Sequence, residues 1–526
     1  MRRFNTEGPV RLDDHYGIPP LDRIDWDHVL ELIEDKRYFV LHAPRQTGKT
    51  SALKALAERL EAGGKHHCVY VNVEVGQSAR EDAAAAIRAI LSELALEARI
   101  GGDTALDAIW PNSLEQSGPH GALSNALAGW AAASSKPLVL LIDEIDALIG
   151  DTLLAVLRQL RSGYARRPKG FPQSVILCGV RDVRDYRIHS SAENAMVLGG
   201  SAFNISAESL RLGDFSQGEV EALLMQHTDE TGQAWTDAAK AEVWEATRGQ
   251  PWLVNALADE ACFRNKAGRD RARPIGVEAI RDAREQLIER RVVHLDQLAH
   301  KLEEERVRRV IEPLLSGADQ QAAVPADDLK YVRDLGLIAQ HDPVAIANPI
   351  YQEVIPRDLT YTTQATITHD PAWYLDANGT LRIDHLLAGF QQFFRQHSEH
   401  WVERFQYKEA GPQLLLQAFL QRIVNDGGRI EREYGLGRMR TDLLVVWPLP
   451  DDGMEARTVI ECKVLHGSLE RTTSDGVEQT LAYMDRCAAH EGHLVVFDRT
   501  PDKPWDDKVF QCDESAGGRT VHVWGM

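Results

Sequence analysis

The sequence predicts an α/β multidomain chain, and three observations predict it. The chain has 526 residues, its N-terminal part alternates apolar strand-like runs with helical periodicity, and a second set of helices and strands begins afresh after the middle. At roughly 100–200 residues per domain, that length corresponds to three or four folded units and not to one core. Hydrophobic residues make up 44% and charged residues 26%, ordinary for soluble globular chains, and no run of about 20 apolar residues suggests a membrane span. Lys and Arg number 59 against 79 Asp and Glu, a formal net charge of −20. Any polyanion must therefore find a local basic groove against the overall field. Cys68, Cys178, Cys262, Cys462, Cys487 and Cys512 form no C-x-x-C pair, so neither a zinc knuckle nor a disulfide framework is expected, as suits a reducing cytoplasm. The start, Met1-Arg2-Arg3-Phe4, carries no apolar segment behind its charges, and a secretory signal is not expected.

In chain order, the runs Tyr38–His42, Cys68–Val73, Leu138–Ile142 and Ser174–Cys178 read as strands and alternate with helical patterns over Thr50–Ala62 and Ala79–Ala98. That alternation predicts a parallel sheet with crossover helices. Gly63-Gly64 stops the first helix, and the Pro- and Gly-bearing stretch Gly101–Gly121 reads as a loop. From about Leu210 the pattern is helical, over Glu219–Gln226, Thr236–Thr247 and Pro251–Asn265, and predicts a lid. Leu295–Leu315 and Asp327–Leu337 read as helices and Val344–Ile350 as a β-like wing, the outline of a winged helix. Leu359–Thr368 reads as linker. The last part reads helix Gly411–Val424, strands Arg429–Tyr434, Thr441–Trp447 and Thr458–Val464, helix Gly476–Cys487 and strand His493–Phe497, a mixed α/β unit. The expected division is a core at 1–209, a lid at 210–290, the winged-helix outline at 291–360, a linker at 361–389 and a C-terminal domain at 390–526.

The strand Tyr38–His42 runs into Ala43-Pro44-Arg45-Gln46-Thr47-Gly48-Lys49-Thr50 and then a helix. This is the phosphate-loop spacing, with Ala43 in place of the first glycine. Backbone N–H groups wrap phosphates, Lys49 reaches the terminal ones and the Thr50 hydroxyl joins a Mg²⁺ shell. Ala43 is tolerated if its backbone torsions are open to a residue with a Cβ. The apolar strand Leu138–Ile142 ends in Asp143-Glu144, which predicts Asp143 on Mg²⁺ and Glu144 as the base for the attacking water. The bland reading of that pair is a buried strand with two capping acids. Arg181, just beyond the strand Ser174–Cys178, falls at the sheet edge where ligands of open α/β sheets sit. It could sense the γ-phosphate or be a surface arginine paired with Asp182 or Asp185. Arg161, Arg166 and Arg167 are weaker candidates for a cation supplied to a neighbouring subunit.

With Gly249-Gln250-Pro251 in the helical stretch, this order of motifs resembles the AAA+-related ATPases of the archaeal-ATPase and STAND group, over roughly residues 20 to 360. The resemblance implies ATP and Mg²⁺ as cofactors, a homo-oligomer in the ATP state, and a lid in which Gly249 and Pro251 approach the nucleotide. Gly and Pro also mark helix boundaries without further purpose. Residues 291 to 360 hold 8 Lys or Arg against 12 Asp or Glu, which argues for a regulatory or protein-contact module over a groove-reading one.

A second constellation lies at the C-terminal end. Glu433, the Gly/Arg-rich turn with Arg438 and Arg440, and Asp442 precede Glu461-Cys462-Lys463 on the next strand. Alternation puts Glu461 and Lys463 on one face and Cys462 on the other. Asp442, Glu461 and the Cys462 carbonyl make a hard-oxygen set for Mg²⁺ or Mn²⁺, and Lys463 can polarise a water or offset phosphate charge. E-x-K alone is common on exposed strands; the apolar Val459-Ile460 before it makes a solvated face less expected. Gln479 and Tyr483 stand one turn apart on the following helix. Together these residues resemble the PD-(D/E)XK nuclease superfamily over about residues 390 to 526. That resemblance leaves open whether Glu409 or Glu433 is an additional acid, and suits Arg438 and Arg440 to phosphate contact. Residues 391 to 526 hold 16 Lys or Arg against 22 Asp or Glu, so a nucleic-acid end fits better than a long duplex track.

The expected function is an ATP-binding and hydrolysing regulator of a metal-dependent nuclease, with ATP and nucleic acid, DNA before RNA, as partners and no membrane. The resemblance associates such architectures with prokaryotic defence. The alternative is a nucleotide-dependent switch whose C-terminal domain docks a nucleic acid or protein without cutting. A helicase motor lacks a second core and a basic track.

Overall fold

The computed structural model describes residues 1–190, 195–290, 301–316, 324–356, 374–376, 379–404, 411–424, 428–434, 441–449, 455–465, 467–500 and 503–526. The chain divides into two compact units, Met1–Leu287 with Asp334–Gly336, and Ile288–Arg333 with Leu337–Met526.

In the first unit, β1 (Arg3–Phe4) and β2 (His15–Tyr16) pair in parallel. The main sheet contains β3 (Tyr38–His42), β4 (His67–Asn72), β5 (Leu138–Asp143) and β6 (Ser174–Gly179). A hairpin, β7 (Arg187–Ser190) and β8 (Ala195–Leu198), precedes the last strand of that sheet, β9 (Ser206–Arg211). The order is β4-β5-β6-β3-β9 with every pair parallel. Buried on both faces, the inner strands read as unbroken apolar runs. Val40, Leu140, Ile142 and Leu177 face one way, into Ile87, Leu91, Leu127 and Leu157 of the helices Ala83–Ile100, Pro119–Ala133 and Gly150–Ser162. Phe39, Leu41, Leu141 and Ile176 face the other way, into Ile33, Leu53 and Leu56 of the helices Trp26–Glu34 and Lys49–Ala62.

The structure corrects one expectation for this unit and adds one strand. Gly101–Gly121 is no loop: helices Ala105–Ser117 and Pro119–Ala133 fill it, separated by Gly118 at φ +62. Pro119 sits at the helix start, where a missing N–H costs nothing, and Leu106, Ile109, Trp110 and Leu114 anchor the Pro111-bearing helix to the core. The strand β9 escaped the sequence because it is an edge strand of largely polar residues, Ser206-Ala207-Glu208-Ser209. Beyond it come the helices Gln217–Thr231, Asp237–Thr247, Pro251–Asp259 and Val277–Glu289. Phe4 and Tyr16 pack here in an aromatic cluster with His227 and Phe263, ring centroids 5.0 to 6.3 Å apart.

In the second unit, the helices Glu305–Ser316 and Ala326–Asp334 are tied by Arg306 to Asp327 and Asp328 (2.7 and 2.8 Å) and by Arg309 to Asp328 (2.7 Å). The β-like wing at Val344–Ile350 reduces to one antiparallel bridge, Ile338 to Ile346. From 349 the chain is helical, because Asn348 caps the Tyr351 N–H at 2.9 Å and Pro349 suits a first turn. Residues 295–300 of the expected helix Leu295–Leu315 and the expected linker Leu359–Thr368 lie outside the described residues, and the helix Ile383–Arg404 begins within the span 361–389.

The C-terminal sheet runs β10-β11-β12-β13-β15-β14, from β10 (Arg429–Tyr434), β11 (Thr441–Pro448), β12 (Glu455–Val464), β13 (Glu491–Phe497), β14 (Phe510–Ala516) and β15 (Arg519–Gly525). β10, β11 and β12 form an antiparallel meander, β12-β13 and β13-β15 are parallel, and β14 returns antiparallel. On one face, Leu444, Val446 and Val459 meet Tyr483 and Met484 of the helix Leu469–Cys487. Gly476 allows that helix to touch Leu494, where an added Cβ would come within 2.6 Å. On the other face, Phe497 meets Phe390 and Phe394 of the helix Ile383–Arg404, and Phe390 meets Phe419 of the helix Gly411–Val424. Among the described residues, no helix is long and apolar enough to cross a membrane.

Candidate functional site

Because the strands of the first sheet are parallel, their carboxyl ends share one edge, and the candidate nucleotide residues collect there. His42, the last residue of β3, pairs with Gly179 and Arg211, while Asp143, the last of β5, pairs with Asn72. The loop after β3 turns through Gln46 at φ +57 and Gly48 at φ +92. These left-handed residues turn successive N–H groups toward a common concavity at the start of the helix Lys49–Ala62, the geometry that takes an anion. Ala43 is fully buried, its φ is not in the left-handed region, and its N–H donates to Gly179 O at 3.2 Å. A Cβ is therefore no obstacle at this position. Lys49 is buried, its Nζ donating to the carbonyls of Ala43 and Pro44 at 3.0 Å each. Thr47 Oγ1 closes the turn on Pro44 O at 2.7 Å.

Thr50 Oγ1 donates to Asp143 Oδ2 at 2.7 Å, and Tyr70 Oη donates to the same oxygen at 3.0 Å. A hydroxyl and a fully buried carboxylate in contact beside an anion-binding loop are the hard-oxygen donors that Mg²⁺ prefers, so the residues fit that ion with a phosphate partner. Tyr70 was not visible in the sequence, since its role depends on β4 lying beside β5. Glu144 follows with φ +56, its N–H on Asp143 Oδ1 at 3.0 Å. Burial, and next the charge of Asp146, hold its carboxyl above the usual carboxylate range.

Arg181 is no surface arginine. It is buried at the same edge, its Nε 3.3 Å from Asp334 Oδ2, while Asp182 pairs with Arg184 at 2.6 Å. Asp334–Gly336 belong to the first unit, and Gly336 lies so near Pro44 that a Cβ on it would come within 2.8 Å. The weaker candidates have local partners: Arg161 donates to Ser201 O, Arg166 to Ser124 Oγ, and Arg167 stacks on Tyr164.

Gly249, at φ +80, fills a position where a Cβ would stand 1.9 Å from the Phe215 carbonyl. Gln250 caps the next helix through the Leu253 N–H at 2.6 Å, and Pro251 opens it. Gly249-Gln250-Pro251 is thus a helix boundary, and its Pro251 is also part of a pocket wall. Pro251, Trp252 and Asn255 line a cavity of about 120 Å³ with Gln46, Thr47 and Gly48. The N-terminal segment lines one side of it, Trp252 Nε1 donating to Thr6 O at 2.9 Å and the Asn5 N–H to Asn255 Oδ1 at 3.2 Å. Neither this segment nor Arg23 was legible in the sequence, because no motif marks either.

In the second unit, Asp442 stands directly opposite Glu461 across β11 and β12, and Glu433 opposite Asp442 across β10 and β11. Glu461 is fully buried, and Lys463 Nζ lies 2.7 Å from its Oε1. Glu461 follows Val459 on the face that the helix Leu469–Cys487 covers. That helix carries the buried Tyr483 and Gln479, whose buried Oε1 has no hydrogen-bond partner among the described residues. Cys462 is buried toward the opposite face. Glu409, Arg438 and Arg440 lie outside the described residues. Among the described residues no three His, Cys, Asp or Glu side chains converge as a metal cluster.

Residues 33–186 match the AAA domain family. Among solved structures, the chain is similar to a Walker-type ATPase of Pyrococcus abyssi, at 14% identity, over 67% of this chain and 99% of the other, with a TM-score of 0.45. It is also similar to Cdc6p from Pyrobaculum aerophilum, at 13% identity, 68% and 98% coverage and a TM-score of 0.37. The RuvB Holliday junction branch migration motor of Thermotoga maritima gives 12% identity, 65% and 98% coverage and a TM-score of 0.32. No curated protein sequence matches the chain.

Proposed function

We propose, from the premise that residues 33–186 form an AAA-type P-loop ATPase domain, that the chain is an ATP-hydrolysing regulator of a metal-dependent nuclease in its own C-terminal domain. In the first site, Lys49 and the loop N–H groups would bind the phosphates of ATP, and Thr50 with Asp143 would hold Mg²⁺. Glu144 accepts a proton from the attacking water, and Arg181 reads the γ-phosphate once Asp334 yields it. Magnesium supplies charge neutralisation on the phosphate oxygens.

For the second site, the observation that carries the reading is the strand register. It sets Asp442 opposite Glu461, with Lys463 paired to Glu461 at 2.7 Å on the face under the helix of Gln479 and Tyr483. Asp442, Glu461 and the Cys462 carbonyl would hold Mg²⁺ or Mn²⁺, which supplies Lewis acidity at a phosphodiester. Lys463 orients the attacking water, and Gln479 fixes the metal-side carboxylates by hydrogen bonding. The antiparallel meander followed by a parallel strand and a covering helix supports the PD-(D/E)XK resemblance. The bridge Ile338–Ile346 and the Arg306–Asp328 pair support a winged-helix-like module engaged in internal contacts more than in DNA reading. A role in defence against foreign nucleic acid is part of the same proposal.

A second reading is favoured by one observation: Lys463 neutralises the buried Glu461, which a purely structural ion pair would also do. In that case the C-terminal domain docks a partner without cutting. The separating experiment incubates the purified chain with linear, circular and single-stranded DNA and with RNA, with Mg²⁺ or Mn²⁺, with and without ATP. Cleavage that disappears in Lys463→Ala and Asp442→Ala while ATP hydrolysis stays near wild type is expected. Cleavage persisting in both variants, or absent under every condition, returns the domain to docking.

A further inference from the structure

Arg23 belongs to no sequence motif, yet its guanidinium stands where three segments meet. It ends the short helix Pro20–Arg23. Its Nη1 donates to the carbonyl of Thr47 at 2.6 Å, inside the phosphate loop, and its Nη2 donates to the carbonyl of Gly213, just past β9. The guanidinium also lies 4.7 Å from the centroid of the Phe215 ring. Phe215 in turn donates its N–H to Gly249 O at 2.8 Å, and its carbonyl is the atom that forbids any side chain at Gly249. Gly48 shows the same closeness on the other side, since a Cβ there would come within 2.9 Å of Arg23 Nη1. One planar fork thus joins the phosphate loop to Gly213 and the Phe215 ring, and Phe215 in turn hydrogen-bonds Gly249.

The consequence for the loop follows from peptide geometry. Across a trans peptide the C=O of Thr47 and the N–H of Gly48 point in opposite directions. Holding the Thr47 carbonyl on Arg23 therefore fixes the Gly48 N–H on the far side of the peptide plane from Arg23, as one of the loop's anion-facing donors. Burial drops the guanidinium from its usual range to about 10, so it stays charged at neutral pH, and a charged donor makes the stronger hydrogen bond.

We propose that Arg23 is a positioning residue of the nucleotide site: it aims the Gly48 N–H at the phosphates and ties the phosphate loop to Gly213–Phe215, so that nucleotide in the loop is registered at Gly249. This rests on the reading of the first site as an ATP site, and Arg23 itself takes no part in the chemical step.

The test compares the full-length wild type with Arg23→Gln, Arg23→Lys and Lys49→Ala, measuring KM and kcat for ATP hydrolysis and the hydrogen exchange of the Phe215 amide with and without ADP. Losing a charge-assisted bond of this kind is expected to raise KM about tenfold or more, with kcat little changed and the ADP-dependent protection of Phe215 lost. Lysine, a single point charge, cannot bridge two carbonyls in one plane, so Arg23→Lys is expected to share the defect. It keeps the charge and so remains decisive if Arg23→Gln does not fold. A wild-type KM in either variant overturns the proposal, as does a fall in kcat at unchanged KM. Lys49→Ala separates the two readings: if it binds and hydrolyses ATP like the wild type, the site is not the one described, and the role of Arg23 falls with it.

Discussion

Asp143, Glu144 and Arg181 show how a residue's chemistry is set by what surrounds it. Asp143 is fully buried and accepts from Thr50 and Tyr70, while Glu144, one position on, leaves the strand at φ +56 with its carboxyl held above the ordinary range by burial. The raised value means that Glu144 still carries its proton at a pH where an exposed glutamate has lost it. In the proposed role Glu144 accepts a proton and so acts in its ionised form, and the acid limb of the kcat profile is then expected above pH 4.5, the ordinary value of the group. Glu144→Gln is expected to remove that limb and lower kcat by roughly 10²-fold or more, with ADP binding retained. A limb unchanged in Glu144→Gln would assign the proton transfer elsewhere. The placement of Lys49, Thr50, Asp143 and Glu144 at one sheet edge was legible in the sequence because each follows an apolar strand at a fixed spacing. Tyr70 and Arg23 were not, because a tyrosine mid-strand and an arginine after Pro20 acquire their roles only through neighbours distant in the chain. Arg181 was legible as a position, but its partner Asp334 lies 153 residues further on, beyond any local pattern.

At the scale of elements, strands buried on both faces and helices with strong periodicity declared themselves, and the exceptions share a cause. The edge strand β9 is mostly polar, and the helix Ala105–Ser117 contains Pro111, so in each the local signal opposes what tertiary packing imposes. The β-like wing failed for the opposite reason, since Val344–Ile350 has β propensity but Asn348 and Pro349 start a helix inside it. In the second unit the shared face of Glu461 and Lys463 was legible because residues two apart on a strand share a face. The register of Asp442 against Glu461 came only from the folded sheet. Gly249 is the element-level position most exposed to test. Alanine there would need a left-handed backbone and would collide with the Phe215 carbonyl, so Gly249→Ala is expected to lower stability by about 1–3 kcal/mol or more. The check is the denaturant midpoint, with Gly232→Ala as the control, because Gly232 also has positive φ but nothing within 4 Å of a Cβ. Equal losses in the two variants would reduce the effect at Gly249 to backbone strain alone and remove the close contact from the account.

At the scale of the whole molecule, two compact units with separate cores imply separate ligand responses. A ligand that binds only the native form of one unit stabilises that unit by mass action, about 2.7 kcal/mol at a concentration one hundred times its Kd. Calorimetry of the full chain is therefore expected to resolve two transitions. ATP with Mg²⁺ should raise one of them, and the shift should vanish in Lys49→Ala. Mn²⁺ without nucleotide should raise the other, and that shift should vanish in Asp442→Ala. The acidic balance sharpens the second half of the test, because a chain of net charge −20 attracts divalent cations diffusely. Such attraction survives loss of one carboxylate and fades with added salt, whereas a site built from Asp442 and Glu461 does neither. An Mn²⁺ shift retained in Asp442→Ala and lost at high salt would leave the C-terminal domain without a metal centre. A single transition moved by both ligands would show instead that the units unfold as one, and the route from ATP to the C-terminal domain would then lie in the native ensemble as a whole.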